Sequence, residues 1–126
     1  LMAKTVLVID DDPVICQVIE NILYQSGYKV LTATSTFEGL VYLQRQQHVD
    51  LILLDIYFTD GFDGVTLVDR LVKHPYYCDI PVVMISRDST QKLIDHSIGR
   101  GASGFISKPF TTESLLQQVE KVVGLN

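Results

Sequence analysis

Asp50-Leu-Ile-Leu-Leu-Asp55 decides the fold. Four apolar residues run without alternation into a carboxylate. A run of this kind reads as a strand buried on both faces, which places it inside a parallel sheet covered by helices. Its last residue, Asp55, then lies where the chain leaves the sheet. That carboxyl edge is where open parallel sheets bind ligands. Three other apolar runs end in polar groups. Thr5-Val-Leu-Val-Ile9 runs into Asp10-Asp11-Asp12, Pro81-Val-Val-Met-Ile85 ends at Ser86, and the short Gly104-Phe-Ile-Ser107 leads to Lys108.

Between these runs the apolar spacing becomes helical. Pro13 opens a first helix at a position where its missing N–H costs nothing, with Val14, Ile15, Val18, Ile19, Ile22 and Leu23 as the stripe and Gly27 as the stop. Tyr28 to Ala33 reads as a second strand. Ser35, with Glu38 three residues on, is a capping box for a helix expected to turn Phe37, Leu40, Val41 and Leu43 inward. A third helix is expected from Gly64 to Lys73, with Val65, Val68, Leu71 and Val72 inward. A fourth begins at Ser89 or Thr90, carries Leu93, Ile94 and Ile98 on its apolar stripe, and stops at Gly99 and Gly101. The last is capped by Thr111 or Thr112 and buries Leu115, Leu116, Val119, Val122 and Val123.

Strand and helix thus alternate five times. This predicts an α/β fold: a (βα)5 doubly wound parallel five-stranded sheet of flavodoxin-like order 2-1-3-4-5. In that order the first and third strands are neighbours, so Asp10, Asp11 and Asp55 meet at the switch point.

The chain of 126 residues suits a single domain, 1–126, with Leu1 ahead of Met2 read as a cloning remnant. Whether it is whole or one domain of a larger protein is left open. Net charge is −5, and 11 of the 15 acids are Asp. This balance argues against direct nucleic-acid or membrane-surface binding by the domain alone. Cys16 and Cys78 read as free thiols of a reducing compartment, and no apolar run approaches a membrane span, so the cytoplasm is the expected location.

Three carboxylates in mutual reach repel, by about 4 kcal/mol for a pair about 4 Å apart at an effective dielectric near 20. A cation must offset them. Oxygen donors without His or thiolate select Mg²⁺ or a similar hard ion. With Lys108 as a fixed positive charge and the Ser86 hydroxyl, the set amounts to the parts needed for phosphoryl transfer. Asp12 reads instead as an N-terminal helix residue and Asp60 and Asp63 as turn residues, while His48, His74 and His96 lack metal spacing.

The segments Val6-Leu-Val-Ile-Asp-Asp-Asp-Pro13, Leu51-Ile-Leu-Leu-Asp55, Pro81-Val-Val-Met-Ile-Ser86 and Gly104-Phe-Ile-Ser-Lys-Pro-Phe110 resemble the receiver domain of two-component response regulators. The resemblance covers essentially the whole chain. It implies Asp55 as phosphoacceptor, and Mg²⁺ (or Mn²⁺) held by Asp11, Asp55 and the Tyr57 backbone carbonyl, with Asp10 acting through water. It further implies Lys108 and Ser86 as phosphate-binding groups, Ser86 and Phe105 as switch residues, and a cis bond before Pro109. The implied partners are a sensor histidine kinase or histidine phosphotransfer protein, with a homodimer through helix 4, strand 5 and helix 5 as a further expectation. Activity would be limited to self-phosphorylation and slow autodephosphorylation, and the domain would not otherwise be an enzyme. This chain departs from the family pattern in three places. Loop 56–64 lacks proline and is one residue longer, Arg87 stands where a small residue is common, and Phe105 carries no hydroxyl.

Two other functions compete. A receiver-like interaction module would work without phosphorylation. A haloacid-dehalogenase-type phosphatase would use Asp10 as nucleophile and Asp12 as acid, but it leaves Asp55 without a role, and after Lys108 the only acids are Glu113 and Glu120.

Overall fold

The computed structural model describes residues 2–45 and 48–124, so Leu1 and Asn126 lie outside the described residues. In chain order the elements are β1 (Thr5–Ile9), α1 (Pro13–Gln25), β2 (Lys29–Ala33), α2 (Thr36–Gln44), β3 (Leu51–Asp55), α3 (Gly64–Val72), β4 (Val82–Ser86), α4 (Gln91–Gly99), β5 (Gly104–Ser107) and α5 (Thr112–Val123). The five strands form one sheet in the order β2-β1-β3-β4-β5. Every pairing is parallel.

Unbroken apolar runs produce this sheet because both of its faces are covered. All positions of β1, β3 and β4 are buried. Alternate side chains enter two separate cores. Val6, Val8, Leu53 and Ile85 pack with Ile19 and Leu23 of α1 and Leu115 and Val119 of α5. Leu7, Ile9, Leu54 and Met84 pack with Leu43 of α2 and with Val65, Val68 and Leu71 of α3. Helices therefore cover both faces, two on one and three on the other. The edge strands β2 and β5 are only partly buried.

Several inward assignments are corrected. Phe37 is 76% exposed. α2 instead buries Thr36, Gly39 and Leu43. A Cβ on Gly39 would come within 2.5 Å of Ile9 Cδ1, so this helix meets β1 through a glycine that carries no hydropathic signal. The contact face runs through Gly39, and Phe37 is rotated off it. Val14 and Val18 of α1 are exposed, at 64% and 41%, while Cys16, Ile19 and Leu23 form its buried line. Ile98 is 45% exposed, and Ser97 is the buried residue of α4. Leu67, absent from the expected face of α3, is buried.

The helix starts have local causes. Asp12, Ser35, Asp63, Thr90 and Thr111 are the N-caps, each accepting a backbone N–H of the first turn. Glu38 closes its box one residue further out than expected, accepting from Thr34 N at 2.9 Å.

Candidate functional site

Register alone gathers the polar strand ends. Ile9 lies between Ala33 and Leu54, Asp55 lies opposite Ile85, and Ser86 opposite Ser107. The residues that follow these positions share the carboxyl edge. They line a cavity of about 500 Å³ that takes in Asp10, Asp11, Asp55, Tyr57, Ser86 and Lys108, with Arg87 at its rim. A larger hollow of about 820 Å³ opens at the amino end of the sheet beside Val49 and Tyr77. Size therefore does not locate the chemistry. Among the described residues, the one cluster of acids or other ligating groups is Asp10, Asp11 and Asp55, whose ligand atoms lie within 4.8 Å of one another.

The three carboxylates differ in what occupies them. Asp10 is 1% exposed. Its Oδ2 accepts from Lys108 Nζ at 2.6 Å and its Oδ1 from Asp12 N at 2.9 Å. Each oxygen carries one donor. Asp11, half-buried, accepts from Thr59 N through Oδ2 at 2.7 Å. Asp55 is 7% exposed and, among the described residues, accepts only from its neighbour Ile56 N, through Oδ1 at 2.8 Å. Lys108 Nζ stands 3.7 Å from that same oxygen. Oδ2 of Asp55 thus has no hydrogen-bond donor among the described residues, and Asp55 lines the cavity together with Ser86 and Lys108.

Burial, reinforced by the charge of Asp10, pushes the Asp55 carboxyl up to about 6, against the pull of Lys108 and the Ile56 N–H. One lysine does not neutralise three acids. An all-oxygen donor set with surplus negative charge fits a hard divalent cation.

Ser86, 1% exposed, accepts from Asp88 N at 3.1 Å, and Lys108 N donates to Ser86 O at 2.8 Å. The Lys108–Pro109 peptide bond is cis. Phe105 of β5 is partly buried against the core that also takes in Val65, Val68 and Leu71 of α3. Asp12 is the cap of α1, Asp60 accepts from Phe62 N, and Asp63 caps α3, so none of the three joins the carboxylate cluster. Cys16 donates from Sγ to the Asp10 carbonyl at 3.2 Å, and burial raises its thiol to about 11. Both cysteines are free.

The sequence reading missed three groups. Thr59 reaches Asp11 through its backbone, which leaves no side-chain signature. Asp88 accepts the Tyr57 hydroxyl at 3.5 Å. Gly64 packs so closely on the end of β3 that a Cβ would lie 2.1 Å from the Asp55 carbonyl oxygen. The absence of proline from loop 56–64 was the available clue to the first.

A doubly wound sheet with acids just after its first strand and at the end of its third, and a lysine after its fifth, defines a class of acidic-pocket α/β domains. The sequence model of the response regulator receiver domain matches residues 6–120, and the chain belongs to that family, the receivers of two-component signalling. It is 34% identical over 124 residues to the nitrogen assimilation regulatory protein NtrX of Azorhizobium caulinodans, covering 97% of this chain and 26% of that protein. It is 31% identical to the phosphate regulon transcriptional regulatory protein PhoB of Pseudomonas aeruginosa, covering 98% of this chain and 53% of that one. The chain thus spans about half or less of these relatives' length. Among solved structures it resembles the chemotaxis protein CheY4 of Vibrio cholerae, with TM-score 0.88, 27% identity, 96% of this chain and 99% of that one covered. Receiver domains of response regulators work with histidine kinases or phosphotransfer proteins. Among the described residues no helix is long and apolar enough to cross a membrane.

Proposed function

We propose that this domain is a phosphorylation-controlled switch whose phosphoacceptor is Asp55. The observation that carries the reading is the state of its carboxyl. Oδ2 is free of donors among the described residues, while Oδ1 lies 3.7 Å from Lys108 Nζ. A nucleophile needs an unencumbered oxygen, and the incoming phosphoryl group needs a fixed positive charge beside it.

The partner supplies phosphohistidine. An oxygen of Asp55 attacks phosphorus, the P–N bond breaks, and its electron pair returns to the imidazole. An acyl phosphate remains, which water later hydrolyses to inorganic phosphate. Asp11, Asp55 and the Tyr57 carbonyl would hold Mg²⁺ (or Mn²⁺), with Asp10 acting through water. The backbone bonds of loop 56–64 use Ile56 O and Phe58 N and leave the Tyr57 carbonyl out, which is compatible with that role. Bound there, the ion supplies charge neutralisation for the phosphoryl oxygens. Asp10 fixes Lys108 by direct contact, and Lys108 is aimed at the group that Asp55 acquires.

Phosphorylation adds about −1.5 to −2 charge beside Ser86. The Ser86 hydroxyl leaves Asp88 N for a phosphoryl oxygen, and Phe105 turns into the space released. Lacking a hydroxyl, Phe105 signals by ring burial alone. The face of α4, β5 and α5 changes, and it is the face for partners or for a second copy of the domain. The new contacts bias two existing states.

The phosphatase reading is not supported by the contacts, since both oxygens of Asp10 are engaged and Asp12 is a helix cap. Mg²⁺ with beryllofluoride should raise the melting temperature of the domain and leave Asp55→Asn unmoved. An unmoved parent protein would favour an interaction module that works without phosphorylation.

A further inference from the structure

Loop 56–64 is built as a small arm. Gly64 N donates to Ile56 O at 2.7 Å and Phe58 N to Phe62 O at 3.2 Å. Tyr57 and Asp63 face each other between these bonds. The buried Phe58 ring meets Phe62 edge-on, with centroids 6.4 Å apart. Gly61 N closes a turn onto Phe58 O at 2.9 Å, and Gly61 itself takes φ +87°, a conformation open to glycine. The arm is therefore a defined structure with its own packing.

The arm makes two further contacts, one with the residue after Asp10 and one with the segment before α4. Thr59 N–H donates to Asp11 Oδ2 at 2.7 Å, toward β1. The Tyr57 hydroxyl reaches Asp88 Oδ2 at 3.5 Å, toward α4. Tyr57, Thr59 and Asp11 all line the cavity. Asp10 has a lysine and Asp55 has that lysine nearby, but Asp11 makes no ion pair among the described residues. The positive end of the Thr59 amide dipole takes that place.

We propose that this arm is a built-in competitor for the cation: the Thr59 N–H holds Asp11 while the site is empty and is released as a hard divalent ion binds. The proposal rests on the reading of Asp11 as a cation ligand. Its physical basis is that the amide hydrogen and the ion carry like charge and seek the same carboxylate. Ion binding then loosens the arm at the mouth of the site, so cation affinity and access to Asp55 become linked. Residue 59 is not a proline, so an N–H is available at this position.

The turn permits a clean test. Thr59 is the second residue of the Phe58–Gly61 turn, a position that favours proline, and Phe58 before it is part of the extended arm. Thr59→Pro removes the N–H and leaves the turn intact, whereas Thr59→Ala keeps the N–H. Calorimetric titration with Mg²⁺ of the unphosphorylated domain should show Thr59→Pro binding about threefold to tenfold tighter than the parent, and Thr59→Ala unchanged. In the parent, saturating Mg²⁺ should speed hydrogen exchange at the Thr59 amide about tenfold, with a midpoint at the calorimetric Kd. Equal Mg²⁺ affinity in parent and Thr59→Pro, with Thr59 exchange unaltered by the ion, would overturn the proposal while leaving Asp11 as ligand through its other oxygen. If Mg²⁺ binding survives Asp11→Asn at parental affinity, the ligand assignment itself falls, and the competitor with it.

Discussion

The Asp55 carboxyl, the proposed phosphoryl acceptor, is buried at a cost to the fold. In the folded chain it titrates near 6, against an ordinary value of 3.8. Between those values the folded state binds the proton more tightly than the unfolded state, so stability falls as pH rises through that window and stays lower above it. Asp55→Asn removes the penalty. The variant should be more stable than the parent by about 2 kcal/mol at pH 7.5, with the gain vanishing toward pH 4; chemical denaturation at both pH values measures it. A gain that is constant with pH would mean the carboxyl is not the cause. Gly64 is the second residue under strict constraint. The 2.1 Å approach of a Cβ to the Asp55 carbonyl leaves no room for a side chain. Gly64→Ala should cost about 2 kcal/mol or more and displace the Asp55 carboxyl, visible as a weaker response to Mg²⁺.

Elements differ in how openly the sequence announced them. β1, β3 and β4 were legible because strands buried on both faces cannot alternate, and their runs of Val, Ile and Leu admit little else. α5 was legible because its stripe is apolar where it is buried. α2 was not. It meets the sheet through Thr36 and Gly39, so the large apolar Phe37 misled the assignment. The pair gives a contrast to measure: Leu115→Ala should cost about 2–5 kcal/mol, while Phe37→Ser should change stability by no more than about 0.5 kcal/mol, both by urea unfolding. Val14 and Val18 are a similar case, since a helix lying on a sheet buries a narrower stripe than its sequence offers. The acid and lysine positions were readable from strand ends. The Thr59 contact was hidden because it is made by the main chain, whose donors look alike in any sequence.

At the scale of the whole molecule, parallel pairing does the assembling. Adjacent β1 and β3 set Asp10 and Asp11 beside Asp55, and β4 and β5 extend the row to Ser86 and Lys108. The two cores hold the strand ends from both faces, so Asp55 and Ser86 sit on strands, while Asp10, Asp11 and Lys108 lie in the first loop residues beyond them. The domain's membership among response regulator receivers agrees with this arrangement, and the acceptor role of Asp55 remains the claim on which the rest turns. The direct measurement is chemical trapping. The domain is incubated with acetyl phosphate and Mg²⁺, reduced with borohydride so that an acyl phosphate becomes homoserine, and mapped by peptide mass spectrometry. The account predicts homoserine at position 55 and none in folded Asp55→Asn. Label of unchanged stoichiometry in that variant, or trapping at a different residue, would contradict it.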